Sequence, residues 1–179
     1  MNLKEKYKKE IAPKMTDKFG YKNLLAVPRL TKVVINSGLG QNAKDKNFID
    51  GVVSSLARIS GQKPILTKAK QSISAFKTRK GMVIGVAVTL RGQRMFDFTE
   101  KLVNITFPRI RDFRGFSVKQ LDNRGNLAVG FKEHIAFPEI KADEVDNIHG
   151  LQVCLTTTAK TYEEGLALFK LMGFPFKTE

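Results

Sequence analysis

Apolar positions recur along this chain with two periods, near four and two, and the periods alternate. Leu3, Tyr7, Ile11 and Met15 return every four residues, which places them on one helix face. Asn2 stands where an N-cap belongs and Gly20 where a helix stops. Pro13 lies inside this stretch and predicts a kink or a break. Residues 30–37 switch to a strand period, with Thr31, Val33 and Ile35 on one face and Lys32, Val34 and Asn36 on the other. Phe48, Ile49, Val52, Val53, Leu56 and Ile59 restore the helical period, which Gly61 closes and Pro64 bars from resuming. Residues 65–68 read as a short strand. Residues 83–91 alternate more clearly: Ile84, Val86, Val88 and Leu90 form a core face, and Gly85, Ala87, Thr89 and Arg91 a small or polar one. A face of small residues lets another backbone come close.

Met95, Phe98, Leu102 and Ile105 mark a third helix, expected to end before Phe107 and Pro108. Asp122-Asn123-Arg124-Gly125 is a turn signal, and residues 127–131 and 151–158 read as strands. Thr161 and Glu164 have capping-box spacing and open a last helix to about residue 172, stopped by Gly173 and Pro175. The pattern predicts one α+β domain over residues 1–179. A mostly antiparallel sheet would carry helices on one face and leave the other open. The connection over residues 69–82 is too long for a plain hairpin. Nothing in it builds a core, so the free loop is expected to be mobile.

Charge adds a direction to this plan. The chain carries 31 Lys and Arg against 17 Asp and Glu, a net +14, with 42% apolar residues for a core. No acid occurs from Gly51 to Phe96, where Arg58, Lys63, Lys68, Lys70, Lys77, Arg79, Lys80, Arg91 and Arg94 lie. A surface of one sign repels itself, and a polyanion partner gives a reason to build it. The open face is therefore read as a floor for RNA. The lysines of the first helix, Lys4, Lys6, Lys8 and Lys9, read equally well as a solvated face. Residues 133–146 reverse the sign with Glu133, Glu139, Asp143, Glu144 and Asp146, and should face away from RNA or meet a basic protein. In residues 107–116, Arg109, Arg111 and Arg114 alternate with Phe107, Phe113 and Phe116. The favoured reading buries the phenylalanines and leaves the arginines in water.

Catalytic chemistry has no support. His134 and His149 are the only histidines, and the single cysteine, Cys154, excludes an internal disulfide and makes a zinc site unexpected. Cys154 reads as a buried inert thiol and fits a reducing, cytoplasmic setting. The stretch SGLG at 37–40 lacks the Gly-Lys-Ser/Thr ending of a phosphate loop. No apolar run reaches a membrane span, and the basic N-terminus has no apolar region behind it. No cofactor, metal, membrane or small-molecule substrate is expected. A free-standing nucleic-acid regulator would need helix-turn-helix or paired aromatic motifs, which are not seen, and an RNA enzyme would need a catalytic cluster.

The segment Leu56-x-x-Ile59-Ser60-Gly61-Gln62-x-x-Ile65-x-Thr67-x-Ala69-Lys70-x-Ser72 resembles the signature of a ribosomal family, the bacterial large-subunit ribosomal protein five family. Thr89-Leu90-Arg91-Gly92, residues 107–115, Phe137-Pro138-Glu139-Ile140, residues 156–160 and residues 172–176 resemble it too. The likeness covers nearly the whole chain and is weakest in the first twenty residues. It implies a structural constituent of the large subunit, in the cytoplasmic ribosome, with 23S ribosomal RNA and large-subunit proteins as neighbours. It implies that the sheet face opposite the helices anchors 5S ribosomal RNA in the central protuberance, through Asn36, Gln62, Thr67, Thr89 and Arg91. Asn36, Thr89 and Arg91 also fall on the polar or small faces found above; Lys68 and Lys70 join them on charge alone. The long loop, with Ser72, Phe76, Lys77, Thr78, Arg79, Lys80 and Gly81, would touch the peptidyl-site transfer RNA. Phe76 would either pack the loop base or stack on a nucleotide, packing being favoured. Arg109, Arg111, Arg114, Asp143 and Glu144 are candidates for a bridge to a small-subunit head protein.

Overall fold

The computed structural model describes residues 2–141 and 147–177. Strands β1 (Leu30–Gly38), β2 (Ile65–Lys68), β3 (Val83–Leu90), β4 (Leu127–Phe131) and β5 (Leu151–Thr157) form one sheet in the order β2-β3-β1-β5-β4. The sheet is antiparallel: β2 pairs with β3 in that sense, and bonds from Thr31 to Thr156 and from Ser37 to Gly150 run β1 against β5. Among the described residues four helices longer than one or two turns accompany it: α1 (residues 3–19), α2 (Lys46–Ser60), α3 (residues 92–109) and α4 (Tyr162–Leu171). The fold is thus α+β. The chain divides into two compact units, the first Met1–Val33, Leu90–Val129 and Cys154–Glu179, the second Val34–Thr89 and Gly130–Val153.

In the first unit, the Asn2 side chain caps α1 by accepting from the Lys4 amide at 3.2 Å. The Leu3 amide donates to the Glu100 carboxylate at 3.1 Å, tying α1 to α3. The expected kink at Pro13 takes a specific form: a π turn over Tyr7–Ile11 precedes the proline and the helix continues to Phe19. Proline has no N–H and its ring crowds the carbonyl four residues back. A turn one residue wider, closed by the Ala12 amide on the Tyr7 carbonyl, accommodates both without ending the helix. The same device recurs in α3, where a π turn over Leu102–Thr106 precedes Pro108 and the helix runs on to Arg109. That turn corrects two expectations. The helix does not end before Phe107, and its extra residue rotates the buried face from Ile105, which is 45% exposed, to Thr106 and Phe107.

Phe107 is the centre of an aromatic cluster, with ring centroids 4.8 Å from Phe116, 5.6 Å from Phe174 and 5.8 Å from Phe113. α4 opens on the expected capping box, the Thr161 hydroxyl accepting from the Glu164 amide at 3.3 Å while Glu164 accepts in return. Tyr21 also donates to Glu164. The Asp122 carboxylate accepts from the Arg124 and Asn126 amides at 2.9 and 2.7 Å, which builds the expected turn before β4.

In the second unit, Phe48, Val52, Leu56 and Ile59 form the buried stripe of α2, as their spacing predicts. They share the core with Ile35, Val86, Val88, Phe137, Leu151 and Val153. Each such side chain contributes about 1.5–3 kcal/mol by leaving water. Along the second-unit part of β1, Ile35 and Ser37 are buried and Asn36 and Gly38 exposed, so the sheet has one covered and one open face. Ile84 departs from the expected core face and is 39% exposed. The cause is register: Thr67 pairs with Gly85 but Lys68 pairs with Val83, so Ile84 has no partner on β2. A bulged residue leaves the alternation its neighbours keep.

Candidate nucleic-acid interface

The open face of the second unit is built from three adjacent strands. β1 contributes Asn36, β2 contributes Ile65 and Thr67, and β3 contributes Gly85, Ala87 and Thr89. Direct cross-strand partners share a face, and Thr67 sits opposite Gly85 and Ile65 opposite Ala87. Asn36 and Thr89 are exposed and Thr67 is half-buried. Gln62, in the turn between α2 and β2, donates from Nε2 to the Thr89 carbonyl at 3.2 Å, which fixes it at the end of β3. The structure thus places Asn36, Gln62, Thr67 and Thr89 within one unit. Among the described residues, the side chains of Asn36, Thr67 and Thr89 spend no hydrogen bond inside the protein. Lys68 and Lys70 are exposed beside them in sequence. Arg91 is exposed, directly follows β3 at the start of α3, and belongs to the first unit.

The connection 69–82 is a hydrogen-bonded finger. Its base is closed by the Ala69 amide on Met82 O at 2.8 Å and the Gly81 amide on Ala69 O at 2.9 Å. Ser72 Oγ accepts from the Lys80 amide at 2.9 Å. Ile73 and Thr78 exchange backbone bonds of 3.1 and 3.2 Å, and the Lys77 amide returns to Ser74 O at 2.9 Å. Lys77 has φ 52° and Gly81 φ 86°, the left-handed conformation that turns a chain sharply. No apolar side chain from Lys70 to Lys77 is buried, so hydrogen bonds, mostly of the backbone, shape the finger. Phe76 does not pack its base: it is 75% exposed in the tip turn, where the side chain has no neighbour to cover it. Lys77, Arg79 and Lys80 are exposed around it and Thr78 is half-buried.

Arg109, Arg111 and Arg114 are exposed while Phe107 and Phe116 are buried, so aromatics pin this segment and cations face water. Asp143 and Glu144 lie outside the described residues. Cys154 is half-buried rather than fully buried, because it takes the less covered side of β5; burial still raises its thiol pKa.

One feature of the second unit has no signal in the sequence. His134 and His149, fifteen positions apart, stack with ring centroids 3.9 Å apart and planes 9° from parallel. The His149 amide donates to His134 Nδ1 at 3.3 Å, and Ser37 Oγ donates to Gly150 O at 2.7 Å with His149 Nδ1 3.4 Å away. The pair borders a cleft of about 200 Å³ that Asn47, Ser55 and Arg58 of α2 also line. Burial, and then the neighbouring His134, push His149 down to about 4; burial also lowers His134. Two isolated histidines have no spacing that predicts contact; the backbone bond from the His134 amide to the His149 carbonyl, 3.1 Å, joins them.

Among the described residues, no group of three or more His, Cys, Asp or Glu could hold a metal, and no helix is long and apolar enough to cross a membrane. Residues 23–79 match the family model described as Ribosomal protein L5, and residues 83–176 match the model of the C-terminus of the same ribosomal family. The chain is 55% identical over 174 residues to the large ribosomal subunit protein uL5 of Halothermothrix orenii, covering 97% of each chain. It is 54% identical over 175 residues to the protein of that name from Symbiobacterium thermophilum, covering 98% of this chain and 97% of the relative.

Proposed function

The chain belongs to the ribosomal protein L5 family, as a non-enzymatic structural constituent of the large ribosomal subunit, and from that premise we propose a division of labour between its surfaces. The open face of the second unit, with Asn36, Gln62, Thr67, Thr89, Lys68 and Lys70, binds 5S ribosomal RNA; Arg91, of the first unit, is a further contact to the same RNA. The finger, with Phe76 and Lys77 at its tip, contacts the peptidyl-site transfer RNA. Arg109, Arg111 and Arg114, together with Asp143 and Glu144, serve a protein bridge to the small-subunit head.

The observation that carries this reading is a row of polar side chains, Asn36, Thr67 and Thr89, with no internal partner among the described residues, on an uncovered sheet face whose strands β2 and β3 lie in the acid-free, nine-cation run. Side chains that could bond internally and do not are available to phosphates, riboses and base edges. Phe76 exposed among cations has the chemistry of a stacking contact on RNA.

The test has two arms. Thr89→Ala and Arg91→Ala remove groups from exposed positions and open no cavity. Each should weaken 5S RNA binding by about 1.5–3 kcal/mol, the value of a hydrogen bond to a charged group, with melting unchanged. Replacing residues 75–81 by a Gly-Ser linker should leave 5S binding intact and make ribosomes hold peptidyl-site transfer RNA less tightly. If the linker variant loses 5S RNA yet retains transfer RNA, the two surfaces are interchanged.

A further inference from the structure

Gly85 lies inside β3, is buried, and does not have the positive φ for which glycine is usually selected. A strand interior is an unfavourable place for glycine, which loses more chain entropy than alanine and offers nothing to pack. Its presence there calls for a close approach by something else. A Cβ at this position would stand 2.7 Å from Thr67 Oγ1, 3.2 Å from the Ser37 carbonyl oxygen and 3.8 Å from Asn36 Oδ1. The small-residue face, read from sequence as room for a foreign backbone, is at this point filled by the protein's own polar groups. The Thr67 hydroxyl occupies the space over Gly85, with the Asn36 amide on the other side.

We infer that Gly85 is a positioning residue for RNA recognition: by lacking a side chain it leaves the space over β3 that the Thr67 hydroxyl enters from one flank and the Asn36 amide borders from the other, on the open face. The inference rests on the reading of that face as the 5S RNA surface. Thr67 cannot simply yield to a methyl group. It is the direct cross-strand partner of Gly85, and a β-branched side chain has few χ1 positions. Rotation away from a Cβ at 85 exchanges its hydroxyl for its methyl or turns the hydroxyl from Asn36. The Ser37 carbonyl belongs to the neighbouring strand and cannot retreat without moving β1. Neither the hydroxyl nor the amide has a hydrogen-bond partner among the described residues, so their placement serves no internal bond.

The experiment is a double-mutant cycle on the full chain, read by 5S RNA affinity and thermal melting. Thr67→Ala and Gly85→Ala should each weaken binding by about tenfold, the scale of one lost hydrogen bond. Gly85→Ala should cost clearly less in a Thr67→Ala background, because the hydroxyl it displaces is already gone and only the 3.2 Å contact with the Ser37 carbonyl remains. Thr67→Ser combined with Gly85→Ala should restore most of the affinity, and the fold if G85A alone loses it, since serine retains the hydroxyl and rotates more freely. Wild-type binding by G85A, with T67A weakened, overturns the positioning role and leaves the 5S face standing. So does a full additive loss in the double variant, or a serine double variant that folds and binds no better than G85A. If Asn36→Ala and Thr67→Ala both bind as wild type, the assignment of the face to 5S RNA fails first.

Discussion

Acidification from about pH 7 to about pH 5 should destabilise this protein through His149. Burial and the stacked His134 hold His149 at about 4, against the ordinary 6.5 it regains when the chain unfolds. A lowered histidine pKa means the folded state prefers the neutral ring. Its contribution is therefore fully present above the unfolded value of 6.5 and is lost as pH falls from there toward about 4. The whole displacement is worth about 3 kcal/mol, and about 2 kcal/mol of it has gone by about pH 5. For a chain of this size that is a fall in melting temperature of about 4–8 °C. His134 is lowered too, by burial, and adds in the same direction, while the His149 backbone bond and Glu133 oppose it. The assay compares melting curves of the wild type and His149→Phe across this range. Phenylalanine keeps a flat ring against His134 and cannot titrate. The variant should show a clearly shallower loss over the interval. Parallel curves would mean that His149 is protonated in the folded state or exposed in it, and would refute the reasoning.

Binding to 5S RNA should fall steeply with salt: if about five cations of the acid-free run displace counterions, log affinity against log salt should slope at roughly −3.5 to −4.5. A filter-binding titration with a slope near zero would exclude that run as the footprint. In the first unit, Gly165→Ala should destabilise by about 1–3 kcal/mol or more, since its Cβ would collide with Gly125 Cα and lie 2.7 Å from Gly125 O. Denaturant melts of G165A matching wild type would show that this crossing of two glycines is looser than drawn.

The elements themselves were legible in the sequence because each is decided by residues close together in the chain. The four-residue return from Phe48 to Ile59 makes α2 whatever surrounds it, and the Thr161–Glu164 capping box opens α4 by bonds within one turn. The acid-free basic run and the alternation of β1 and β3 likewise need no tertiary information, and they indicate a one-sided, basic sheet. What the sequence could not decide depends on how distant segments meet. Ile84 leaves the core because the register of β2 against β3 skips it, and a register is a property of two strands, not of one pattern. Ile105 leaves it because a π turn ahead of Pro108 adds a residue to a helix whose apolar spacing looked regular. Phe76 is exposed because the finger closes by backbone bonds that carry no hydrophobic signature. Gly85 reads as spare room until Thr67 is placed opposite it, and His134 and His149 read as two unrelated histidines until β4 and β5 bring their flanks together. Periodicity and capping act over one or two turns of chain, whereas cross-strand contact and burial are set only when the sheet has closed.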